Sequence, residues 1–196
     1  MYQEPSQKVD QPFSGRVFNV EVHAVTLPDG RTSRREIVRH SGGACILPLH
    51  DDGQVTMVRQ YRKAFDCEML EIPAGKLEPQ ELPLDCARRE LSEETGLQAS
   101  SFYLLTTLYP SPGYCSEALS IYLATGLTAG QAHPDDGEFL SCVTCPLEDL
   151  LDQVERGMIR DAKTMVALLL TARRLATRED HQPYGGEGQL HGGARG

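Results

Sequence analysis

Positive charge is scarce in this chain. Its 19 Lys and Arg are outnumbered by 28 Asp and Glu, for a net charge of −9. That balance lacks the basic footprint of a nucleic-acid partner. No apolar run reaches the roughly 18 residues that a membrane span needs. The first residues show no basic segment followed by an apolar one, so no signal peptide is expected. Cysteine is sparse: Cys45, Cys67, Cys86, Cys115, Cys142 and Cys145. The pair Cys142 and Cys145 has CxxC spacing, but no second pair completes a zinc site. Six reduced thiols are expected, which suits a cytoplasmic protein. Tryptophan is absent, and no segment repeats. The 196 residues present suffice for one domain whose core needs no covalent staples.

Alternating Val-rich runs, turn signals and two apolar helical patterns indicate an α+β fold with a mixed sheet. Residues 1–14 are polar and read as a frayed end. Residues 16–27 and 33–40 flank a Pro-Asp-Gly turn and read as a hairpin. Residues 44–49 and 54–62 flank Asp-Asp-Gly and read as a second, more buried hairpin. A short strand is expected over 67–75, and further strands over 102–109, 118–127 and 138–147. Helices are expected over 83–95, 147–156 and 161–177. Pro83 suits a first helical turn and Gly96 the position past a helix end. Leu84, Ala87 and Leu91 form an apolar stripe on the first helix. The boundaries expected are an N-terminal strand region over 1–42, a main domain over 43–178 and a disordered tail over 179–196.

The 83–95 helix carries an unusual concentration of acid. Glu90, Glu93 and Glu94 stand at i, i+3 and i+4 and so share a face. Each like-charge pair costs about 0.2–0.5 kcal/mol on an exposed helix. The helix dipole also disfavours anions in a last turn. The ordinary reading of a Glu-rich helix is a solvated charged face. Carboxylates gathered at the wrong helix end are better explained by a bound cation. An oxygen-only donor set points to Mg²⁺ or Mn²⁺, and Mg²⁺ sites commonly share their ion with substrate phosphates. An acidic protein binds a phosphate compound through such a metal or a few arginines.

The surroundings of that helix carry a resemblance. Gly75, five residues, Glu81, seven residues, then Arg89-Glu90-Leu91-x-Glu93-Glu94-x-Gly96-Leu97 is similar to the signature of the Nudix hydrolases. The likeness implies an α/β/α sandwich and a metal-dependent hydrolase of nucleoside diphosphate derivatives. By position it implies that Glu90 and Glu94 are the main metal ligands and that Glu93 is a further ligand or a contact to metal-held water. The carbonyl of Ala74 resembles an additional ligand. Arg89 and Glu81 look like supports that orient the glutamates, with Gly75 and Gly96 as structural positions of the motif.

Flanking segments narrow the resemblance. The stretches at 71–78, 58–62 and 110–117 resemble the ADP-ribose pyrophosphatase branch, which has a proline about 16 residues beyond the motif; Pro112 is 16 beyond Gly96. Residues 16–40 resemble the N-terminal strands that pair across a dimer in that branch. The likeness implies that Arg62 contacts the diphosphate and that Lys76 lies near a phosphate. Arg35 and Glu36 would lie near the adenine, and Ser111 and Gly113 would shape the terminal-ribose pocket. Glu138, in a loop similar to one that carries a late catalytic glutamate, is a candidate general base; Glu93 is its rival. Some relatives stack the adenine on tryptophan, so Phe18, Tyr61 or Arg35 would have to serve here. His40 reads first as a hydrogen-bonded strand histidine. The expectation is therefore a homodimeric Mg²⁺-dependent or Mn²⁺-dependent hydrolase of ADP-ribose or a related nucleotide sugar. GDP-mannose, another nucleotide sugar or a dinucleotide is the alternative substrate. A nucleotide-sensing domain without catalysis is the alternative class, but such domains usually lose motif glutamates.

Overall fold

The structure, a computed structural model, describes residues 2–133 and 139–177. Glu138 and the expected tail lie outside the described residues. Among the described residues, ten strands form three sheets: β1 (Ser6–Ser14), β2 (Phe18–Thr26), β3 (Thr32–His40), β4 (Gly43–Pro48), β5 (Gln54–Arg62), β6 (Cys67–Glu71), β7 (Ala74–Lys76), β8 (Leu97–Leu108), β9 (Leu119–Ala129) and β10 (Leu140–Pro146). They are joined there by three helices: α1 (Pro83–Thr95), α2 (Leu147–Glu155) and α3 (Ala162–Thr177).

Strand β4 organises the core. It reads Gly-Ala-Cys-Ile-Leu-Pro, and all six residues are buried. A strand apolar on both faces belongs in the middle of a layered structure. It pairs antiparallel with β7 and parallel with β9, in the order β7-β4-β9-β8. Successive side chains of a strand point to opposite faces. Ala44 and Ile46 accordingly pack with Tyr122, Ala124 and the α1 residues Cys86, Ala87 and Leu91. Cys45 and Leu47 pack with Ile121, Leu123, residues of β5, and the α2 and α3 residues Leu150, Val154, Ala167 and Leu168. This is the expected α/β/α sandwich with a mixed sheet. Burying Leu91 alone contributes about 1.5–3 kcal/mol before entropy is counted.

Three expectations fail. The strand expected over 67–75 is two, β6 and β7, in different sheets, parted at Ile72 and Pro73. Residues 44–62 do not form a hairpin. The turn forms as read, with the Gln54 carbonyl accepting from the His50 N–H at 2.8 Å and the Asp52 carboxylate accepting from the Gln54 N–H at 3.1 Å. Beyond a single bridge, Leu49 to Val55, the strands part. β4 needs neighbours on both edges, and β5 joins a separate antiparallel sheet, β10-β5-β6. Residues 6–14 are also not frayed: they form β1, antiparallel to β2 and exposed along its whole length. Backbone pairing ties it to the fold, with side-chain bonds from Ser6 to His23 and from Gln7 to Thr26 and the Phe13 and Phe18 rings at 5.6 Å, and its polar sequence with Pro12 hides that pairing.

The β1-β2-β3 sheet meets the main domain through β3. The Val38 N–H donates to the Tyr114 carbonyl at 2.7 Å, and the Ser116 N–H donates to the Val38 carbonyl at 2.9 Å. The loop between β8 and β9 thus extends the N-terminal sheet by one parallel bridge, Val38 to Cys115.

Candidate active site

Helix α1 begins at Pro83, whose missing N–H costs nothing there, and ends at Gly96. Gly96 adopts φ 69°, and its N–H closes on the Ser92 carbonyl. A Cβ at this position would lie 2.6 Å from the Ala132 nitrogen, so glycine is needed for both conformation and space. The buried side of α1 comprises Cys86, Ala87, Glu90, Leu91 and Glu94. The expected apolar stripe holds, with Ala87 and Leu91 buried and half-buried Leu84 packed against the same cluster, and two motif carboxylates join the core side. Glu90 is 9% exposed and Glu94 4%. Glu93 lies further out.

Arg89 gathers the other acids. Its Nε and Nη2 donate to the two oxygens of Glu81 at 2.8 and 3.0 Å. Its Nη1 donates to Glu90 Oε1 at 2.6 Å and to Glu93 Oε2 at 2.9 Å. The Arg89 hydrogen bonds, with lesser help from the Glu78 N–H, hold the Glu81 carboxyl down at about 2. The same pairing raises the Arg89 guanidinium above its ordinary value, although burial opposes the rise. Glu94 takes a different partner: its Oε2 accepts from the Ala74 N–H at 3.0 Å. Gly75 makes room for Glu90, because a Cβ there would fall 1.6 Å from Glu90 Oε1. Ala74, Gly75, Glu81, Arg89, Glu90, Glu93 and Glu94 thus form one locus.

Among the described residues, no three His, Cys, Asp or Glu side chains stand as a ready-made metal cage. Arg89 occupies Glu90 and Glu93, while Glu94 faces the strand. The chemistry nevertheless fits a hard cation. The donors are oxygens, two carboxylates are buried, and three carboxylates share one guanidinium. Such an excess of buried negative charge is costly without a counter-ion.

Beside β7 lies a cavity of about 290 Å³, lined in part by His40, Arg62, Ala74, Gly75, Lys76 and Lys163. Arg62 is held by Glu71, donating from Nε at 2.8 Å and from Nη2 at 2.7 Å. Glu71 also receives Lys163, which in turn meets Asp161 Oδ1 at 2.9 Å. Burial alone would raise the Glu71 carboxyl, but Arg62 and Lys163 overcome it and bring it to about 2. Lys76 donates to the Arg16 carbonyl at 3.1 Å. His40 accepts from the Gly42 N–H at 3.0 Å and also lines the cavity, so it is both a satisfied histidine and a wall residue.

The remaining candidates lie elsewhere in the chain. Arg35, Glu36 and Gly113 line a separate cavity of about 610 Å³ on β3. Arg35 is engaged by Glu4 at 2.8 and 2.6 Å. A side chain at Gly113 would meet nothing within 4 Å, so no contact within the chain requires glycine there. The Ser111 carbonyl accepts from the Cys115 N–H at 2.9 Å and shapes the loop between β8 and β9. Glu71, Asp161, Lys163 and Glu117, which also line or support the Arg62 cavity, were not singled out from the sequence. Glu71 lies within the 71–78 segment, but the strand register sets it opposite Val58 and Arg62 opposite Cys67, so pairing across the strands gives no signal for it.

Fold and site together define a Nudix pyrophosphohydrolase, and the chain belongs to the Nudix family: the NUDIX domain model matches residues 39–169. Among its relatives, an ADP-ribose pyrophosphatase of Bacillus subtilis (strain 168) is 42% identical over 161 residues, covering 81% of this chain and 87% of the relative. A methanol dehydrogenase activator of Bacillus methanolicus is 39% identical over 170 residues, covering 86% of this chain and 92% of the relative. A solved structure described as an ADP compounds hydrolase superposes with a TM-score of 0.79 at 25% identity, covering 90% of this chain and 96% of that one. Among the described residues no helix is long and apolar enough to cross a membrane.

Proposed function

We propose that this enzyme hydrolyses the pyrophosphate bond of ADP-ribose or a closely related nucleoside diphosphate sugar, giving a nucleoside monophosphate and a sugar phosphate. The observation that carries the reading is the meeting of two unlike surfaces at β7. On one side stand the carboxylates of α1; on the other stands a cavity with Arg62 and Lys76 in its wall. A diphosphate needs both, because its oxygens are anionic and its cleavage builds further charge. The likeness to an ADP-ribose pyrophosphatase over most of both chains supports the adenine nucleotide as preferred.

Glu90, Glu94, Glu93 and the Ala74 carbonyl would hold Mg²⁺ or Mn²⁺. Such a cation, when bound, supplies Lewis-acid polarisation of phosphoryl oxygens. The chain's own residues do the rest. Arg89 and Glu81 orient Glu90 and Glu93. Arg62 and Lys76 bind the diphosphate. Glu93 or Glu138 accepts the proton of the attacking water. A panel of ADP-ribose, ADP-glucose, GDP-mannose, NADH and diadenosine polyphosphates at fixed Mg²⁺ tests the substrate, reading phosphatase-sensitive products. ADP-ribose is expected to give the highest kcat/KM; a preference for a dinucleotide or GDP-mannose would overturn the assignment.

Arg35 and Glu36 would contact the adenine, with Ser111 and Gly113 near the terminal ribose. In one chain Arg35, Glu36 and Gly113 line a different cavity from Arg62. A homodimer in which β3 of one copy completes the cavity of the other reconciles the two sets. The fully exposed edge strand β1 supports such pairing, since an open edge of this length invites another chain. Light scattering at micromolar concentration is expected to give twice the 21.6 kDa of one chain; a monomeric mass counts against the shared site.

A further inference from the structure

We infer that Lys163, at the start of α3, is a positioning residue for Arg62 and acts through Glu71. The inference rests on the reading of Arg62 as a diphosphate contact. Glu71 is only 2% exposed, and a carboxylate so deeply buried persists only when it is paired. It is paired twice. Arg62 grips both of its oxygens, and Lys163 donates to Oε2, which it shares with Arg62 Nη2. Asp161 then balances Lys163, so two cations and two anions close into a neutral set beside the cavity.

The geometry leaves Arg62 divided. Its Nε and Nη2 are committed to Glu71, while its side chain remains 40% exposed and lines the cavity. Its Nη1 takes no part in that pair. Glu71 therefore acts as a bracket that fixes the guanidinium plane and leaves one edge for an anionic ligand. Lys163 fixes the bracket in turn. Without its ammonium, buried Glu71 and half-buried Asp161 would both bear on Arg62, which already feels the charge of both. Arg62 would then be drawn toward the protein and away from the ligand. Lys163 is itself anchored, because Asp161 Oδ2 also accepts from the Thr164 N–H at 3.0 Å and caps α3.

The test uses the full-length enzyme, Mg²⁺ and the best substrate of the panel. Lys163→Met is expected to raise KM about tenfold with kcat nearly unchanged, the size of one lost charge-assisted contact in binding. Lys163→Arg is expected to restore most of the affinity. The double variant Arg62→Met/Lys163→Met is expected to match Arg62→Met alone, because the two residues act as one unit. Multiplicative KM effects, or a normal KM in Lys163→Met when Arg62→Met raises it, would overturn the inference. A normal KM in Arg62→Met would instead overturn the reading of Arg62. Should Lys163→Met fail to fold, Glu71→Gln/Lys163→Met removes the unmatched carboxylate with its partner. The same raised KM is expected there, and a wild-type KM counts against the proposal.

Discussion

Glu94→Gln is expected to fold like the parent and to lose about 100- to 1,000-fold in kcat, equivalent to roughly 3–4 kcal/mol of transition-state stabilisation. The substitution keeps the side chain's shape and an oxygen that can accept from the Ala74 N–H, now 3.0 Å from Oε2. What it removes is the charge. Glu94 is 4% exposed and follows Glu90 by four residues on the buried side of α1. No basic residue occupies the last turn of this helix to offset the negative end of its dipole. In the absence of metal the variant should therefore melt at or slightly above the parent temperature, because a like-charge repulsion has been removed. Steady-state kinetics with saturating Mg²⁺ and a metal-free melting curve check both halves. A near-parental kcat would remove Glu94 from the list of metal ligands.

Gly75→Ala is expected to separate activity from stability in a second way. The added Cβ would fall 1.6 Å from Glu90 Oε1 and 1.9 Å from its Cδ, distances that force movement. The yielding group is the far end of a side chain and not the backbone, so the fold can adapt by turning the Glu90 carboxylate away. That carboxylate also receives Arg89 at 2.6 Å, and its displacement disturbs the partner of Glu81 and Glu93 as well. A loss of about 100-fold in kcat follows if Glu90 carries a share of transition-state stabilisation comparable to that of Glu94. The melting temperature should fall by only a few degrees, as for a change of about 1 kcal/mol. Activity within threefold of the parent would show that Glu90 does not need its place beside Gly75.

The parts of this molecule legible in the sequence are those governed by neighbours in the chain. Pro83, Gly96 and the spacing of Ala87 and Leu91 mark α1, and its observed span, Pro83–Thr95, is the expected one. The same holds for β5, Gln54–Arg62, and for the cluster of Arg89 with Glu81, Glu90 and Glu93. Long-range partners were not legible. Lys163 opens a helix, where a lysine ordinarily extends into water, and its partner Glu71 is 92 residues away. The separation of β4 from β5 was hidden because a tight turn constrains its two flanks only locally. β1 was hidden because polar residues on a sheet edge give no apolar alternation. Arg35 and Glu36 were read correctly as strand residues, but a single sequence does not say which cavity, or whose, a strand will face.

The hydrogen bond from the Ile72 N–H to Thr164 Oγ1, 3.0 Å long and again spanning 92 residues, bears on how portable the active site is. The carboxylates of α1 take their spacing from outside the helix: Glu94 from the Ala74 N–H, and Glu90 from the space left by Gly75. Both of those positions lie on β7, which pairs with β4, and they follow Ile72, whose N–H the start of α3 holds. The 23-residue signature is thus not a cassette. Transplanted to another helix, it would keep every letter of the motif and lose the strand that positions its carboxylates.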